Sequence, residues 1–277
     1  MSTRVAINGF GRIGRQAFKV ALERPELEVV AINDIGDVAN MAYLLKYDSV
    51  HGRDEQDVHA DGNSLVVAGR TYPVLSVKEP TQLPWKDLNV DVVIESTGRF
   101  TNREQATAHL QAGAKSVVIS APAKGAPSFV LGVNDSAYDP EKDTVISNAS
   151  CTTNSVTPVM AVLDEEFGVL KALMTTVHSY TSDQRLVDSP HSDWRRGRAA
   201  AQNIVPTSTG AARAAAEALP QLKGIFDGVS LRVPTLDVSL SDLTVLLGKK
   251  TTAEAINDAF RAAAASDRFK GILTVSD

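Results

Sequence analysis

The segment TRVAINGFGRIG, residues 3–14, carries the strongest structural signal in the chain. Its apolar run Arg4–Asn8 predicts a buried strand, and the apolar spacing of Arg12–Leu22 predicts a helix directly after it. The turn between them holds a G-x-G-x-x-G pattern made by Gly9, Gly11 and Gly14. Such glycines allow a tight turn, close approach of a pyrophosphate and close helix–strand packing. The segment therefore predicts the first unit of a dinucleotide-binding sheet.

An acidic residue follows the next predicted strand. The run Leu27–Asn33 is apolar and ends at Asp34, about 20 residues beyond the glycines, where a carboxylate can accept hydrogen bonds from the adenosine ribose. A carboxylate also repels a ribose 2′-phosphate, so Asp34 favours NAD over NADP. A tight turn without any ligand is the alternative, and the glycines alone fit it equally well.

The two halves of the chain differ in pattern. In the first half, short apolar runs alternate with helical ones, which predicts a parallel sheet with helical crossovers and an antiparallel excursion over 58–76. In the second half, helices are predicted over 210–219 and 252–265 and strands over 172–177, 229–233 and 238–247. We therefore expect an α/β protein with a Rossmann doubly wound domain, 1–150, and an α+β catalytic domain with a mostly antiparallel sheet, 151–277. Residues 271–277 resemble a further strand, so we expect a C-terminally truncated chain.

Composition excludes several functional classes. The chain has 277 residues, a net charge of −5 and 43% hydrophobic residues, which is typical of a folded globular protein and argues against nucleic-acid binding. No apolar run reaches the roughly 18 residues of a membrane span, and no signal peptide is recognisable. The single cysteine, Cys151, excludes an internal disulfide and a multi-cysteine metal site. We expect a cytoplasmic protein that holds no metal.

Cys151 lies between a predicted strand and a predicted helix. Pro158 fits that helix only if the helix starts near Asn154, because proline lacks an N–H group. Cys151 then lies at or just before a helix N-terminus, where the partial positive charge lowers the thiol pKa from about 8.5. A buried structural cysteine is the alternative, but the small hydroxyl and amide neighbours favour a reactive thiol.

A reactive thiol needs a base, and His178 is the best candidate. It ends an apolar strand, which directs the imidazole to the carboxyl edge of a sheet, although a hydrogen-bonded core histidine fits the same pattern. The other four histidines lie in polar or loop-like segments, where solvated surface positions are expected: His51, His59, His109 and His191.

Anion-binding groups follow downstream. Arg195, Arg196 and Arg198 crowd one loop, for which a solvated cluster is the simpler interpretation. The hydroxyls of 207–209 precede an Ala-rich helix, where they could bind phosphate or simply cap the helix. Arg232 interrupts an apolar strand, and a buried arginine requires a carboxylate or phosphate partner.

These residues belong to motifs that together resemble phosphorylating glyceraldehyde-3-phosphate dehydrogenase. The motifs run through the whole chain in order: INGFGRIGR (7–15), LLKYDSVHG (44–52), ESTGRF (95–100), SAPAK (120–124), SNASCTTN (147–154), TTVHSYT (175–181), STGAA (208–212) and RVPT (232–235). The resemblance implies NAD-dependent oxidation of glyceraldehyde 3-phosphate with inorganic phosphate, through a cysteine hemithioacetal and a thioester. It also implies a homotetramer without nucleic-acid or membrane partners.

The resemblance assigns roles to individual residues. It makes Cys151 the nucleophile and His178 its activating base. Residues at cofactor-contacting positions are Gly9, Gly11, Arg12, Ile13, Gly14, Asp34, Lys78 and Ser120. Residues at positions that hold the substrate phosphate and the attacking phosphate are Ser150, Thr152, Thr181, Arg196, Thr209, Gly210 and Arg232.

Departures from the family pattern keep alternatives open. Ser155 replaces a second cysteine that many relatives carry, and this removes a disulfide partner. Ser189 replaces a common leucine and, with Gly36, leaves room near the adenosine ribose, so some NADP use is compatible with the sequence. The alternative functions are an erythrose-4-phosphate dehydrogenase and an inactive dinucleotide-binding fragment.

Overall fold

The computed structural model describes residues 2–276, which form two compact units. Unit 1 contains residues 2–128 and 139–148, and unit 2 contains residues 129–138 and 149–276. The domain limits expected from the sequence, 1–150 and 151–277, stay a prediction. Within the described residues, none of the helices has both the length and the hydropathy that crossing a bilayer requires.

Unit 1 is built on an eight-stranded sheet. Its strands and helices are β1 (Thr3–Asn8), α1 (Arg12–Leu22), β2 (Leu27–Asn33), α2 (Val38–Lys46), β3 (Tyr47–Asp48), β4 (Gly52–Arg53), β5 (Val58–Asp61), β6 (Ser64–Val67), β7 (Arg70–Leu75), β8 (Val92–Glu95), α3 (Arg103–Ala106), α4 (Ala108–Gln111), β9 (Ser116–Ile119) and β10 (Val145–Ser147). The strand order is β10-β9-β8-β1-β2-β7-β6-β5. Neighbours from β10 to β7 pair in parallel, and β7-β6-β5 is the predicted antiparallel excursion. This confirms the Rossmann-like parallel sheet.

The turn between β1 and α1 depends on its glycines. Gly9 has φ +95°, and a Cβ atom there would lie 2.6 Å from the Thr97 nitrogen. A Cβ atom at Gly14 would lie 2.0 Å from the Gly9 carbonyl oxygen. These two positions therefore need glycine for conformation and for close packing. Both hold α1 near the carboxyl ends of β1 and β8.

Unit 2 has a mixed four-stranded sheet. Its elements are α5 (Cys151–Phe167), β11 (Val169–Ser179), β12 (Val205–Thr207), α6 (Ala211–Ala218), β13 (Phe226–Val233), β14 (Ser239–Leu247) and α7 (Ala253–Ala265). The strand order is β12-β13-β11-β14, in which only β13-β11 is parallel. This confirms the α+β domain with a mostly antiparallel sheet. The central strand β11 carries His178 close to its carboxyl end.

The strand expected at the end of the sequence is not observed. Residues 271–276 form no strand, and Asp277 lies outside the described residues. Instead, Phe269 is buried in the core of unit 2, and its carbonyl accepts hydrogen bonds from Ile272 and Leu273. The chain therefore turns back at Phe269. A β-strand requires hydrogen bonds to a neighbouring strand, and the described apolar residues after Phe269 make none.

Candidate active site

Cys151 is the first residue of α5. The hydroxyl of Ser150 caps this helix by accepting a hydrogen bond from the Thr153 N–H at 3.0 Å. The helix thus starts three residues earlier than the predicted start near Asn154, and Pro158 lies inside it. The expected start was wrong because a proline interior to a helix was treated as excluded. The Ser150 cap stabilises the early start, which places the thiol at the positive end of the helix dipole.

The thiol faces His178. Cys151 Sγ lies 3.2 Å from His178 Nε2, and His178 Nδ1 lies 2.7 Å from the carbonyl oxygen of Ser179. Because a carbonyl can only accept a hydrogen bond, Nδ1 carries a proton and Nε2 is the nitrogen that exchanges a proton with sulfur. His178 is buried, whereas Cys151 is exposed and free of disulfides. The imidazole is thus oriented by the backbone and the thiol is accessible.

Both ionisations favour an ion pair. The hydrogen bond with His178 is the main cause that lowers the pKa of the Cys151 thiol; partial burial opposes it, and hydrogen bonds from Thr152 add to it. The bond with Cys151 is the main cause that raises the pKa of His178, against burial and the charge of Arg232. The two groups titrate as a coupled pair, and both shifts act toward a thiolate beside an imidazolium.

Arg232 lies beside this pair on the neighbouring strand. Its guanidinium donates to the Ser179 carbonyl at 3.2 Å, and the same nitrogen is 3.3 Å from His178 Nδ1. Burial is the main cause that lowers the pKa of Arg232, and the nearby charge of Arg196 adds to it. Arginine remains a cation in proteins, so a half-buried positive charge lies next to the thiol and imidazole.

Arg196 is held by a second set of contacts. Its Nε and a terminal nitrogen both donate to the hydroxyl of Thr207, with the Nε contact at 2.8 Å. Its other terminal nitrogen lies 2.6 Å from a carboxylate oxygen of Asp183. Thr207 is buried on β12 and therefore does not cap α6, which corrects that expectation. The positive charge of Arg196 acts on Arg232, and the carboxylate of Asp183 partly offsets it.

The remaining predicted phosphate ligands lie nearby in sequence. Thr152 is buried in the first turn of α5, and Thr181 follows β11 three residues after His178. Thr209 and Gly210 lead into α6, and the Thr209 hydroxyl accepts the Ala211 N–H at 3.2 Å. The N-cap of α6 is Gly210, and no side chain caps this helix. Binding of phosphate by these groups stays a prediction.

In unit 1, a cavity of about 290 Å³ lies at the carboxyl ends of the central strands. Four predicted cofactor residues line it: Gly9, Gly11, Asp34 and Lys78. Four others are not among its lining residues: Arg12, Ile13, Gly14 and Ser120. Ile13 is exposed at the start of α1, Gly14 packs against Gly9, and Ser120 follows β9.

The cavity fits a dinucleotide. A Cβ atom at Gly11 would meet no atom within 4 Å, and no side chain caps α1 there, so the helix N-terminus is open to a pyrophosphate. The Asp34 carboxylate accepts the Phe10 N–H at 2.7 Å and the Gly36 N–H at 2.9 Å. Since a carboxylate has about four acceptor sites, Asp34 keeps capacity for ribose hydroxyls.

Sequence reasoning missed part of this lining. Asn8, Asn33, Ser96, Thr97 and Arg99 also face the cavity, all at or after the ends of β1, β2 and β8. The signal was present, because ligands of open α/β sheets bind outside the carboxyl ends of the strands. The residues after β8 were quoted only as part of a motif and were given no role.

One histidine prediction was wrong. His51 and His59 are exposed, but His109 is fully buried in unit 1, where it contacts Trp85 and Glu95. His191 is only partly exposed and lies 3.7 Å from Asp183. Its polar neighbours in sequence suggested solvent for His109, but α4 packs this side chain inward beside buried polar partners.

Comparison with known proteins agrees with this geometry. The model of the glyceraldehyde 3-phosphate dehydrogenase NAD-binding domain matches residues 3–103, and the model of the C-terminal domain of the same family matches residues 150–277. The glyceraldehyde-3-phosphate dehydrogenase of Geobacillus stearothermophilus is 54% identical over 100% of this chain and 83% of that protein. That of Streptomyces coelicolor is 54% identical over 99% of this chain and 82% of that protein.

The chain belongs to the glyceraldehyde-3-phosphate dehydrogenase family. Glyceraldehyde-3-phosphate dehydrogenase 1 of Bacillus subtilis (strain 168) is also similar, with 53% identity over 100% of this chain and 83% of that protein. Family membership confirms the resemblance inferred from the motifs and makes the chain an enzyme. It also makes NAD the cofactor of unit 1, in agreement with the carboxylate of Asp34 at the cavity.

Proposed function

We propose that this chain oxidises and phosphorylates glyceraldehyde 3-phosphate to 1,3-bisphosphoglycerate, with Cys151 as nucleophile and His178 as its base. The observation that carries the proposal is the 3.2 Å contact between Cys151 Sγ and His178 Nε2 at the first residue of α5. A thiolate is the nucleophilic form of cysteine, and the imidazole favours that form.

The aldehyde must first gain electron density. Cys151 thiolate adds to the carbonyl carbon, the C–S bond forms, and the carbonyl oxygen becomes an alkoxide that the His178 imidazolium stabilises by a hydrogen bond. Bound NAD supplies the acceptor for the hydride that this carbon then loses. The carbon is left as a thioester of Cys151, and the two electrons have left with the hydride.

Phosphate then releases the product. One phosphate oxygen attacks the thioester carbonyl, the C–O bond forms, and the C–S bond breaks to return the Cys151 thiolate. The positive region made by Arg196 and Arg232 supports two anion sites, one for the substrate phosphate and one for the attacking phosphate. The resemblance adds Ser150, Thr152, Thr181, Thr209 and Gly210 to these sites.

His178→Asn tests the assigned base. Loss of the imidazole leaves Cys151 without its main thiolate-stabilising partner, so kcat/KM with glyceraldehyde 3-phosphate should fall about 100-fold to 10,000-fold. The control is His59→Asn, which changes an exposed histidine in unit 1 and should leave turnover unchanged. Unchanged turnover and unchanged thiol alkylation in His178→Asn would contradict the proposal.

Substrate choice needs a separate measurement. NADH formation is followed with glyceraldehyde 3-phosphate and with erythrose 4-phosphate, each with and without inorganic phosphate. We expect the triose phosphate to be preferred and its oxidation to depend on phosphate. Preference for the tetrose, or oxidation independent of phosphate, would overturn the assignment. NAD binding without NADH formation from either aldehyde would indicate a dinucleotide-binding protein without this activity.

We further propose that the protein acts in the cytoplasm as a homotetramer. One face of the unit 2 sheet supports self-association, because β11, β13 and β14 each expose large apolar side chains there: Leu173, Val229, Leu240 and Leu246. Light scattering coupled to size-exclusion chromatography measures the mass directly. A monomer at micromolar concentration would contradict the proposed assembly.

A further inference from the structure

A buried network of hydrogen-bonded polar side chains in unit 1 is not used by the proposed chemistry. Its centre is Glu95, the last residue of β8, whose carboxylate is almost fully buried. Asn8 Nδ2 at 2.5 Å and His109 Nε2 at 3.0 Å lie against one oxygen of this carboxylate. The backbone N–H of Thr97, at 2.8 Å, and the Thr97 hydroxyl donate to the other oxygen. Four donors therefore converge on a single buried carboxylate.

The hydrogen-bonded network extends from Glu95 in two directions. On one side, the Trp85 indole N–H donates to His109 Nδ1 at 3.0 Å. On the other side, Asn33 Nδ2 donates to Asn8 Oδ1 at 2.7 Å. The Asn33 side chain ends on a backbone, since it accepts from the Val77 N–H and donates to the Val77 carbonyl, both at 2.9 Å.

The two ends determine the direction of every hydrogen bond. An indole N–H can only donate, so His109 Nδ1 accepts and its Nε2 carries the proton that Glu95 accepts. At the other end, the Val77 N–H can only donate, so the Asn33 amide has one orientation, and the amide of Asn8 follows from it. No amide flip or imidazole tautomer satisfies the network in the reverse direction.

Three side chains of this hydrogen-bonded network also form the floor of the dinucleotide cavity. Asn8 ends β1, Asn33 ends β2, and Thr97 follows β8, and all three line the cavity with Val77. Each is directly adjacent to a further lining residue: Gly9, Asp34, Ser96 or Lys78. The hydrogen-bonded network thus connects the carboxyl ends of three neighbouring strands, β1, β2 and β8, with the segment after β7.

We propose that Glu95 and His109 are positioning residues for NAD binding, which act by holding these strand ends at the spacing that the dinucleotide requires. Neither group lines the cavity, so they act through Asn8, Asn33 and Thr97. A binding site loses affinity when its groups must be ordered on binding, and a preformed hydrogen-bonded floor avoids that cost.

Glu95→Gln is the informative variant. Glutamine keeps the shape of the side chain but replaces one acceptor oxygen with an NH2 donor. Facing Thr97, this NH2 opposes a backbone N–H that cannot turn away. Facing Asn8 and His109, it opposes two donors whose directions are determined by Val77 and Trp85. Either way at least one buried donor is left unpaired, and the floor must move.

The control variant is Asp91→Asn, which lies just before the opposite end of β8. The Asp91 carboxylate contacts Lys115 Nζ at 2.6 Å and the Arg4 backbone N–H at 2.8 Å, and none of these three residues lines the cavity. This variant also removes one carboxylate by an isosteric change beside the same strand. It measures what a general loss of unit 1 stability does to NAD binding.

The experiment measures the Kd for NAD of the full chain by titration, together with the rise in Tm that saturating NAD produces. We expect Glu95→Gln to raise Kd at least tenfold, to shrink the NAD-dependent rise in Tm, and to leave the alkylation rate of Cys151 without NAD unchanged. Asp91→Asn should keep Kd within twofold of the parent. These binding measurements do not depend on the catalytic roles proposed above.

The outcomes separate positioning from simple stabilisation. A folded Glu95→Gln protein with Kd less than threefold above the parent overturns the proposal, as does an equal loss of affinity in Asp91→Asn. If Glu95→Gln does not fold, Trp85→Phe decides, because it removes the donor that determines the His109 tautomer and leaves Glu95 in place, although it also removes part of a fully buried ring. It should raise Kd about threefold, and an unchanged Kd in Trp85→Phe overturns the proposal.

Discussion

His178 and Arg232 lie directly opposite each other on the parallel strands β11 and β13, and both donate to the carbonyl of Ser179. The register of the two strands therefore determines the electrostatics of the proposed base. The guanidinium lowers the pKa of His178, while the contact with Cys151, the larger effect, raises that pKa. The Ser179 carbonyl thus holds the imidazole in one orientation, and the guanidinium that shares this carbonyl lowers the pKa of the imidazole.

Arg232→Gln should raise the pKa of His178 further. The variant removes a nearby positive charge, so the imidazolium persists to higher pH. The pH profile of any rate that requires the imidazolium should therefore fall at higher pH than in the parent. Titration of the imidazole resonances by NMR measures this directly. Arg195→Gln, which removes an exposed guanidinium paired with Asp193, is the control. A His178 titration that moves to lower pH in Arg232→Gln would contradict the expected sign.

The Ser150 cap should control both stability and thiol reactivity. Ser150→Ala removes the acceptor for the Thr153 N–H, and the loss of such a cap costs about 1 kcal/mol in free energy of unfolding. Because α5 then frays at Cys151, iodoacetamide should alkylate the thiol more slowly at neutral pH.

Thr252→Ala is the matched control for that variant. Thr252 caps α7 through the Ala255 N–H at 3.2 Å, so urea unfolding should show a similar cost. Alkylation of Cys151 should not change, since α7 is a different helix. Equal alkylation rates in both variants would show that the cap does not hold the thiol.

Thr207→Val should weaken the use of phosphate. Valine keeps the shape of threonine but cannot accept the two hydrogen bonds from Arg196, which leaves that guanidinium to Asp183. A loss of about 1 kcal/mol corresponds to an increase of about fivefold in the KM for inorganic phosphate. Ser208→Ala, at the exposed next residue, should leave this KM unchanged. An unaltered phosphate KM in Thr207→Val would exclude Arg196 from the phosphate site.

Two glycines of the turn should respond differently to alanine. Gly14→Ala forces a Cβ atom to within 2.0 Å of the Gly9 carbonyl oxygen, so the free energy of unfolding should fall by about 1–3 kcal/mol. Gly11→Ala meets no neighbour within 4 Å and has φ −75°, so stability should change by less than about 0.5 kcal/mol.

The affinity for NAD tests the role of Gly11 separately from stability. Because the open space at Gly11 is where a pyrophosphate approaches the helix N-terminus, Gly11→Ala should raise the Kd for NAD while the protein stays folded. Fluorescence titration with NADH and urea unfolding provide both quantities. Full NAD affinity in a folded Gly11→Ala protein would show that the pyrophosphate binds elsewhere.

Elements whose signal is local were predicted well. The bounds expected for α1 and β2 agree with the structure, because the apolar period is contained in each segment. The predicted positions of Asp34 at the dinucleotide cavity and of Cys151 at a helix N-terminus are correct for the same reason. Each of these residues follows shortly after a β-strand, so its neighbours along the chain determine where it lies.

Other features depended on contacts between distant segments. Burial of His109, the hydrogen bonds of Thr207 and the strand expected at 271–276 were predicted wrongly from their neighbours in sequence. His109 is polar and its segment, 104–111, holds other polar residues, yet Trp85 and Glu95 provide buried partners from 24 and 14 residues away. Thr207 meets Arg196 only because β12 joins the edge of the unit 2 sheet.

Residue order was thus sufficient for the two architectures, the glycine turn and the position of Cys151 at a helix N-terminus, since each follows from period, spacing or residue chemistry within a short segment. Folding in three dimensions was required to bring His178 to Cys151, to align Arg232 with His178, and to join Asn8 and Asn33 to Glu95. The physical reason is that hydrogen bonds and desolvation depend on distances between side chains, and strand register sets those distances.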